Sequence, residues 1–389
     1  MQDCLVAAGC YKGVKYSTGN ALTSIDDFIK THPGHWLFGH MGYGLKNEIA
    51  GTPVSVTDNI GFADLYFFIP EIVVRLGGQM LMIDSFENNH VAIFQEISSE
   101  NPHFAINKKP VKLQPEISKE HYIKTVEKLK QHILRGDCYE INYCQAFTAA
   151  YAVIDPVTTF LQLTAVSPNP FSVFYRVNDS YLLCASPERF LMKRGQQLIS
   201  QPIKGTAPRN PDNETLDEAQ KTTLQQSRKE RSENVMVVDL VRNDLSKVAT
   251  EGSVQVNELF KIYSYPQVHQ MVSTISGTIT NDISFGNIIA ATFPMGSMTG
   301  APKKRVMELI DQYETSTRGI FSGAVGYISP NGDFDFNVVI RSILYNAGSA
   351  SVSVLAGSAI TFYCDAATEY EECLLKIAAM RKILEKEQV

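Results

Sequence analysis

The sequence predicts an α+β protein whose sheets are mostly antiparallel. Strand-like apolar runs come in groups between a few long helical stretches, without the regular strand–helix alternation that is typical of parallel sheets. The chain has 389 residues, of which 44% are hydrophobic, and this is enough for a large core. Length alone favours two or three domains.

Two portions are predicted on either side of an exposed connection. In residues 1–107, short apolar runs separated by Gly, Asn and Pro indicate a strand-rich N-terminal portion. Residues 107–117 are rich in Lys and Pro and are typical of a surface connection. Residues 118–389 form the larger portion.

The larger portion begins with a well-signalled helix. Ser118 is a typical N-cap, an apolar stripe runs from Tyr122 to Ile133, and Gly136 is a typical helix end. Later helices are predicted over residues 213–241 and 368–387, and strands over residues 139–149, 170–177, 181–186, 268–279, 322–329, 336–346 and 351–357.

Composition excludes several classes of function. The net charge of −6, without a basic block, argues against a nucleic-acid partner or an anionic membrane. Seven cysteines without a CxxC pair indicate reduced thiols in a cytoplasmic protein. The chain start lacks the features of a signal peptide, and the most apolar window, residues 65–83, is interrupted by Pro, Glu, Arg and Gly, so no membrane span is predicted.

Two helical segments each carry a pair of carboxylates. Glu230 and Glu233 are three residues apart, as are Glu369 and Glu372, so each pair lies on one helix face. Two such faces can share a hard cation such as Mg²⁺, which prefers oxygen ligands. The alternative is that all four are ordinary solvated helix glutamates.

A possible anion site follows at residues 299–303. Thr299 is predicted to cap a helix whose first turn holds Gly300, Ala301 and Pro302. The free backbone N–H groups of such a helix start, with the cation of Lys303 nearby, attract anions. The alternative is an ordinary capped helix.

Arg341 lies in a segment that is otherwise typical of a buried strand. A buried guanidinium needs a carboxylate partner, which is supplied either by the protein or by a ligand. The small residues 354–359 are predicted to end a strand and to allow backbone contact with a ligand.

Glu188 and Lys204 are a possible acid and nucleophile. They lie sixteen residues apart, at a strand end and in a turn bounded by Gly and Pro. A lysine attacks only as the neutral amine, so its site has to lower its pKa, whereas a poorly solvated Glu188 stays protonated and can donate a proton. The alternative is a structural ion pair.

The chain from about Trp36 to its C-terminus resembles the chorismate-utilising enzymes. The resemblance rests on these segments, in this order: SPERF, PIKGTAPR, ENVMVVDLVRNDL, GSMTGAPK, RGIFSGAVGYIS, IRS and EYEECLLK. It implies a single α+β unit over residues 1–389, in which two mostly antiparallel sheets and surrounding helices enclose a cleft.

The resemblance also implies roles for individual residues. Mg²⁺ ligation falls to Glu233 and Glu372, supported by Glu230 and Glu369. Substrate contacts are implied for Arg341, the backbone around Gly357 and Ser297, and His269 is implied to lie beside the leaving group at C4.

Lys204 and Glu140 lie at positions where the resemblance distinguishes between the reactions of this family. A lysine at position 204 resembles the members that aminate chorismate at C4, the aminodeoxychorismate synthases, whereas anthranilate synthases usually carry Ala. The implied route has Lys204 adding at C2 while Glu188 protonates the departing hydroxyl, after which ammonia enters at C4 and expels the lysine. Water-adding members carry Lys at position 140 and amine-transferring members carry Gln, so Glu140 matches neither group.

The chain contains no segment that resembles a glutamine amidotransferase. The resemblance therefore implies a separate glutaminase subunit that supplies ammonia, and a product that feeds p-aminobenzoate and folate synthesis. The alternatives are the large subunit of an anthranilate synthase, a water-adding synthase, and a non-catalytic binding subunit, for which Glu188 and Lys204 have no use.

Overall fold

The computed structural model describes residues 4–17, 19–51, 60–87, 89–101 and 109–385. In these residues the helices are α1 (Ala21–Thr31), α2 (Lys46–Ala50), α3 (His90–Ser99), α4 (Lys119–Leu134), α5 (Pro156–Val166), α6 (Glu214–Gln226), α7 (Arg228–Ser246), α8 (Phe285–Thr292), α9 (Lys303–Tyr313) and α10 (Ala366–Glu385). The strands are β1 (Cys4–Ala8), β2 (Lys12–Tyr16), β3 (Leu37–Met41), β4 (Leu65–Ile69), β5 (Ile72–Gly77), β6 (Met80–Ser85), β7 (Gln114–Pro115), β8 (Glu140–Ala149), β9 (Phe171–Val177), β10 (Ser180–Ser186), β11 (Arg189–Arg194), β12 (Gln197–Gln201), β13 (Ile203–Pro208), β14 (Gln255–Ser264), β15 (Val268–Thr278), β16 (Gly300–Ala301), β17 (Ala324–Ile328), β18 (Phe334–Asn337), β19 (Ser342–Asn346) and β20 (Ser351–Ile360).

The strands form two large sheets and one small sheet. The seven-stranded sheet has the order β16-β8-β20-β19-β10-β9, with β7 paired to β8. The ten-stranded sheet has the order β13-β15-β12-β11-β18-β17-β3-β4-β2, with β14 paired to β15. Their strand pairs are antiparallel, so the predicted α+β class is confirmed. A three-stranded sheet, β1-β5-β6, is present in addition to the two large ones.

The seven-stranded sheet is buried on both faces. Along β10, Leu182 and Cys184 belong to the apolar core that joins the two large sheets, while Leu183 and Ala185 belong to a second core under α4, α9 and α10. Successive strand side chains point to opposite faces, so a continuous apolar run is what a doubly covered strand requires.

The N-terminal portion shares a sheet with the larger portion. β3 pairs with β17 in the register Ala324↔Met41, and β4 and β2 extend the same sheet beyond β3. Residues 107 and 108 of the predicted connection lie outside the described residues.

The predicted first helix of the larger portion is confirmed as α4. The Ser118 hydroxyl accepts a hydrogen bond from the His121 N–H at 3.2 Å, Tyr122 is fully buried, and Gly136 follows the helix with a φ of +84°. Gly136 therefore has the left-handed conformation that glycine adopts at helix ends.

One predicted helix is two helices in the structure. The backbone leaves helical geometry at Ser227, which has a ψ of 115°, and the Ser227 hydroxyl caps α7 by accepting from the Glu230 N–H at 3.3 Å. Serine is favoured at a helix N-cap because its hydroxyl accepts a hydrogen bond from a backbone N–H of the first turn, which has no carbonyl partner within the helix. The prediction of one unbroken helix over residues 213–241 is therefore wrong at this point.

The predicted strand over residues 336–346 is also interrupted. β18 ends at Asn337 and β19 begins at Ser342, with Arg341 between them at a φ of +54°. A non-glycine residue rarely adopts this left-handed conformation, and it turns the Arg341 side chain out of the strand register.

In the part of the chain that the structure describes, no helix is long and apolar enough to cross a membrane.

Candidate active site

Lys204 and Glu140 meet where the two large sheets face each other. Lys204 lies on β13 of the ten-stranded sheet, and Glu140 begins β8 of the seven-stranded sheet. The Lys204 ammonium donates to Glu140 Oε1 at 2.7 Å and lies 3.9 Å from Glu233 Oε2. The Lys204 and Glu140 side chains are only 10% and 4% exposed, so this ion pair joins the two sheets inside the protein.

Gly205 lets β13 approach its covering helices. It has a φ of +93°, and a Cβ there would lie 3.0 Å from Leu224 Cδ1 and 3.1 Å from the Glu230 side chain. A side chain here would be strained by the positive φ and would crowd Leu224 and Glu230, so the glycine lets β13 lie close to α6 and α7 beside Lys204.

The surroundings of Lys204 favour its charged form. Burial lowers the pKa of Lys204, but the charges of Glu140 and Glu233 outweigh burial and raise that pKa well above its usual value. The expectation that the site lowers the Lys204 pKa is therefore wrong for this arrangement of charges. The alternative left open from sequence, an ion pair between Glu188 and Lys204, is not found among the described residues, where Lys204 pairs with Glu140 instead.

Glu188 is a buried carboxyl group whose surroundings favour the neutral form, in contrast to those of Lys204. It lies between β10 and β11 and is 4% exposed. Burial raises the pKa of Glu188 to about 7, although the Ser297 hydroxyl, the Lys204 ammonium and the Ile203 N–H each act to lower it. At neutral pH a large fraction of Glu188 is protonated and able to donate a proton, as the sequence analysis expects.

The two glutamate pairs face each other across α7 and α10. Lys229 lies between them, with its Nζ 3.9 Å from Glu233 Oε1, 3.4 Å from Glu369 Oε1 and 4.0 Å from Glu372 Oε2. Glu233 and Glu369 are 7% and 1% exposed, so the alternative that they are ordinary solvated helix glutamates is wrong.

Burial raises the pKa of all four carboxyl groups, but the net shift is not the same for all of them. It is the main reason that the pKa of Glu233 rises to about 7 and that those of Glu230 and Glu369 also rise. For Glu372, burial likewise raises the pKa, but the nearby Lys376 and Lys229 outweigh it and the net pKa is lowered.

The donor chemistry of this cluster fits a hard cation. All four side chains offer oxygen, and Glu233 Oε1 is buried without a hydrogen-bond partner. Among the described residues, no three metal-binding side chains are close enough together to hold an ion as they stand. Lys229 lies among them in the space that such an ion requires.

Arg341 is a buried guanidinium whose hydrogen bond is to the protein backbone. Its Nη1 donates to the Lys376 carbonyl at 3.0 Å, and burial lowers its pKa. No described carboxylate forms an ion pair with it, although the charge of Glu372 acts to raise its pKa.

Gly357 lies in the interior of β20, so the prediction that a strand ends here is wrong. A Cβ at Gly357 would lie 2.3 Å from Cys144 Sγ and 2.6 Å from Asn142 Oδ1 on the neighbouring β8. Its carbonyl accepts from the Lys376 ammonium at 2.7 Å, and the same ammonium lies 2.7 Å from Glu372 Oε1.

Lys376 is a site residue that sequence reasoning missed. It links the metal-ligand candidate Glu372 to the Gly357 backbone, beside Arg341. A signal was available, because Lys376 follows Glu372 by four residues and therefore lies on the same helix face.

The predicted helix cap at Thr299 is wrong. α9 begins only at Lys303, after a cis peptide bond to Pro302, and the preceding Gly300 and Ala301 pair with β8 instead. The Thr299 hydroxyl donates to the Met295 carbonyl at 3.0 Å.

Lys303 makes an internal ion pair. Its ammonium contacts the Asp244 carboxylate on α7 and donates to the Thr292 carbonyl on α8 at 3.1 Å, so its charge links the start of α9 to these two helices. Ser297, in contrast, lies 6% exposed in a short 3₁₀ turn with its hydroxyl near Glu188.

His269 lies in a hydrogen-bond network of its own. Its Nδ1 is 2.8 Å from Ser264 Oγ and its Nε2 is 3.0 Å from Asp217 Oδ1, and Asp217 also pairs with Arg209. Both ring nitrogens therefore have protein partners. The next residue, Gln270, points to the other face of β15. It is 4% exposed and its Oε1 has no hydrogen-bond partner, and sequence reasoning did not consider it.

A family model described as chorismate binding enzyme matches residues 8–382. The chain therefore belongs to the chorismate binding enzymes.

Two relatives carry the name aminodeoxychorismate synthase. It is 38% identical over 273 residues to aminodeoxychorismate synthase component 1 of Escherichia coli (strain K12), covering 70% of this chain and 59% of that protein. It is 43% identical over 274 residues to the probable aminodeoxychorismate synthase, chloroplastic, of Oryza sativa subsp. japonica, covering 70% of this chain and 30% of that protein. The matched region is thus less than two thirds of either relative.

Solved structures share the fold. Anthranilate synthase component I from Streptococcus pneumoniae TIGR4 superposes with a TM-score of 0.85 and 24% identity, covering 98% of this chain and 92% of that one. MenF, the menaquinone-specific isochorismate synthase from Escherichia coli, superposes with a TM-score of 0.77 and 18% identity, covering 98% and 86%.

Proposed function

We propose that this chain is the large, ammonia-using subunit of an aminodeoxychorismate synthase, which replaces the C4 hydroxyl of chorismate by an amine. The observation that carries the proposal is the meeting of Lys204 with Glu140 and Glu188 in one buried region between the two large sheets. The names of the relatives support the same choice within the family.

The proposed chemistry has two displacements. The Lys204 amine forms a bond to C2 of chorismate, the ring double bonds shift, and the C4–O bond breaks as Glu188 donates its proton to the departing hydroxyl, which leaves as water. Ammonia then forms a bond to C4, and the C2–N bond to Lys204 breaks. The amine thereby occupies the carbon that the hydroxyl left.

Lys204 has to lose a proton before the first step. Glu140 is placed to accept that proton because its Oε1 lies 2.7 Å from the Lys204 nitrogen. The second oxygen of Glu140 is buried without a hydrogen-bond partner among the described residues. Glu140 thus serves amination, although the related positions carry Gln or Lys.

The remaining charged groups orient the substrate. Arg341 offers a guanidinium to a substrate carboxylate, which matches its lack of a carboxylate partner among the described residues. Glu233 and Glu372, with Glu230 and Glu369 behind them, would hold Mg²⁺, which supplies positive charge for the ring carboxylate and helps to orient the ring. Ammonia is proposed to come from a glutamine amidotransferase subunit, in keeping with the component 1 names of relatives.

The test is product identification with the purified chain, chorismate, Mg²⁺ and an ammonium salt. We expect 4-amino-4-deoxychorismate, and a Lys204→Ala variant that loses nearly all of this activity. Without ammonia, intact-protein mass spectrometry should detect an adduct of chorismate less water on the wild type and none on the variant. Lys193→Ala, which changes a lysine on β11 of the same sheet, is the matched control. Anthranilate or isochorismate as product would refute the proposal.

A further inference from the structure

Lys229 joins the two carboxylate-bearing helices through a single charge. Its ammonium lies 3.4–4.0 Å from three carboxylate oxygens, one on its own helix α7 and two on α10. α7 packs on β13 and β15 of the ten-stranded sheet, and α10 packs on β20 of the seven-stranded sheet. The contact therefore spans the same junction as the Lys204–Glu140 pair.

The position of Lys229 in its helix is unfavourable for a cation. It is the second residue of α7, where the helix dipole places positive charge, and anions rather than cations are stabilised there. Its place is explained by Glu233, Glu369 and Glu372, whose negative charges offset the dipole. Glu233 and Glu369 have side chains only 9% and 2% exposed, so they need a cation nearby.

A divalent cation and the Lys229 ammonium compete for one space. Mg²⁺ binds carboxylate oxygens at about 2.0–2.1 Å, so oxygens that now surround an ammonium at 3.4–4.0 Å must move inward to ligate it. The two cations also repel each other at such distances. The Lys229 side chain is 50% exposed, which leaves it a path into solvent.

We propose that Lys229 is a positioning residue that acts as an internal counter-cation of the carboxylate cluster. It holds the two glutamate pairs together when no divalent cation is bound, and it swings toward solvent when one binds. This inference rests on the proposed function, in which Glu233 and Glu372 hold Mg²⁺. The consequence is a site that stays assembled without metal, with a cation affinity that is weakened because binding requires displacement of Lys229.

The test is cation binding by Lys229→Met, which keeps the apolar stem and removes the charge. Titration calorimetry with Mn²⁺ or Mg²⁺, without chorismate, should give a dissociation constant about tenfold lower than that of the wild type. The cation-free variant should melt at a lower temperature than the wild type, and excess Mg²⁺ should remove that difference. Lys221→Met is the matched control, because Lys221 pairs with Glu218 on the neighbouring α6, and it should change neither quantity.

The outcomes separate this inference from the proposed function. Equal cation affinity in Lys229→Met and wild type would overturn the role of Lys229 and leave the cation site in place. No cation binding by either protein would overturn the cation site of the proposed function, and the role of Lys229 with it. Should Lys229→Met not fold, Lys229→Arg keeps a charge at the site and should fold with near wild-type affinity; a tenfold gain there would also overturn the inference.

Discussion

Substitution of Glu188 by Gln tests the protonation state on which the proposed mechanism depends. Burial raises the pKa of Glu188 from 4.5 to about 7, so between these values the folded protein binds a proton that the unfolded chain has released. The free energy of unfolding therefore falls as pH rises through this window, and the loss is complete above about pH 7. At 1.36 kcal/mol for each pH unit, Glu188 alone accounts for about 3 kcal/mol.

Glutamine has the same shape and does not titrate, so this part of the pH dependence should disappear. We expect the free energy of unfolding of Glu188→Gln to fall less than that of the wild type between pH 4.5 and pH 8, by about 3 kcal/mol. Urea unfolding at a series of pH values measures this difference. Glu218→Gln, at a side chain that is 66% exposed, is the control and should follow the wild type.

The same variant should lose about 10²–10⁴-fold in C4 amination, because glutamine cannot supply the proton that the departing hydroxyl needs. In the wild type, kcat/KM should fall as pH rises through about 7, since the acid is then ionised. An unchanged pH dependence of stability in Glu188→Gln would refute the burial argument. Full activity with normal stability behaviour would refute its role as the acid.

Four further substitutions test the rest of the site. Glu233→Gln or Glu372→Gln should abolish Mg²⁺-dependent turnover, and wild-type rates at saturating Mg²⁺ would contradict the ligand assignment. Glu140→Gln should leave the product unchanged but lower the free energy of unfolding by about 3 kcal/mol, because Lys204 loses the buried carboxylate 2.7 Å away. Product analysis tests the first expectation and urea unfolding tests the second. A changed product would make Glu140 the specificity determinant. Arg341→Lys should raise KM for chorismate more than it lowers kcat, since one ammonium replaces a forked donor; an unchanged KM in steady-state kinetics would argue against carboxylate binding there.

Local signals in the sequence predicted the elements well where one residue decides the geometry. Ser118 and Gly136 mark the limits of α4 because capping and the left-handed helix end depend on single side chains. The same kind of reasoning failed at Ser227 and Arg341, where each residue looks compatible with the surrounding pattern. At Ser227 the break coincides with a local side-chain cap that the sequence reasoning overlooked, and at Arg341 with a left-handed residue that the apolar pattern does not indicate.

The site was predictable as a set of residue types and less so as a set of contacts. Spacing placed Glu230 with Glu233 on one helix face, but that α10 lies opposite with its own pair depends on how the two sheets pack. Thr299 and Lys303 matched a helix-start motif, yet β16 pairs with β8 first and the charge of Lys303 goes to Asp244. A motif read along the chain does not reveal which partner, protein or ligand, its groups will meet.

The two lysines at the sheet junction have the same electrostatic role. Buried carboxylates are costly without a counter-charge, and Lys204 and Lys229 each supply one to glutamates that belong to the other half of the protein. Each lysine must then change state for the proposed chemistry, Lys204 by losing a proton and Lys229 by leaving its place. In the proposed function, the charges that stabilise the junction between the two sheets thus also hold the two lysines in a state that the chemistry has to change.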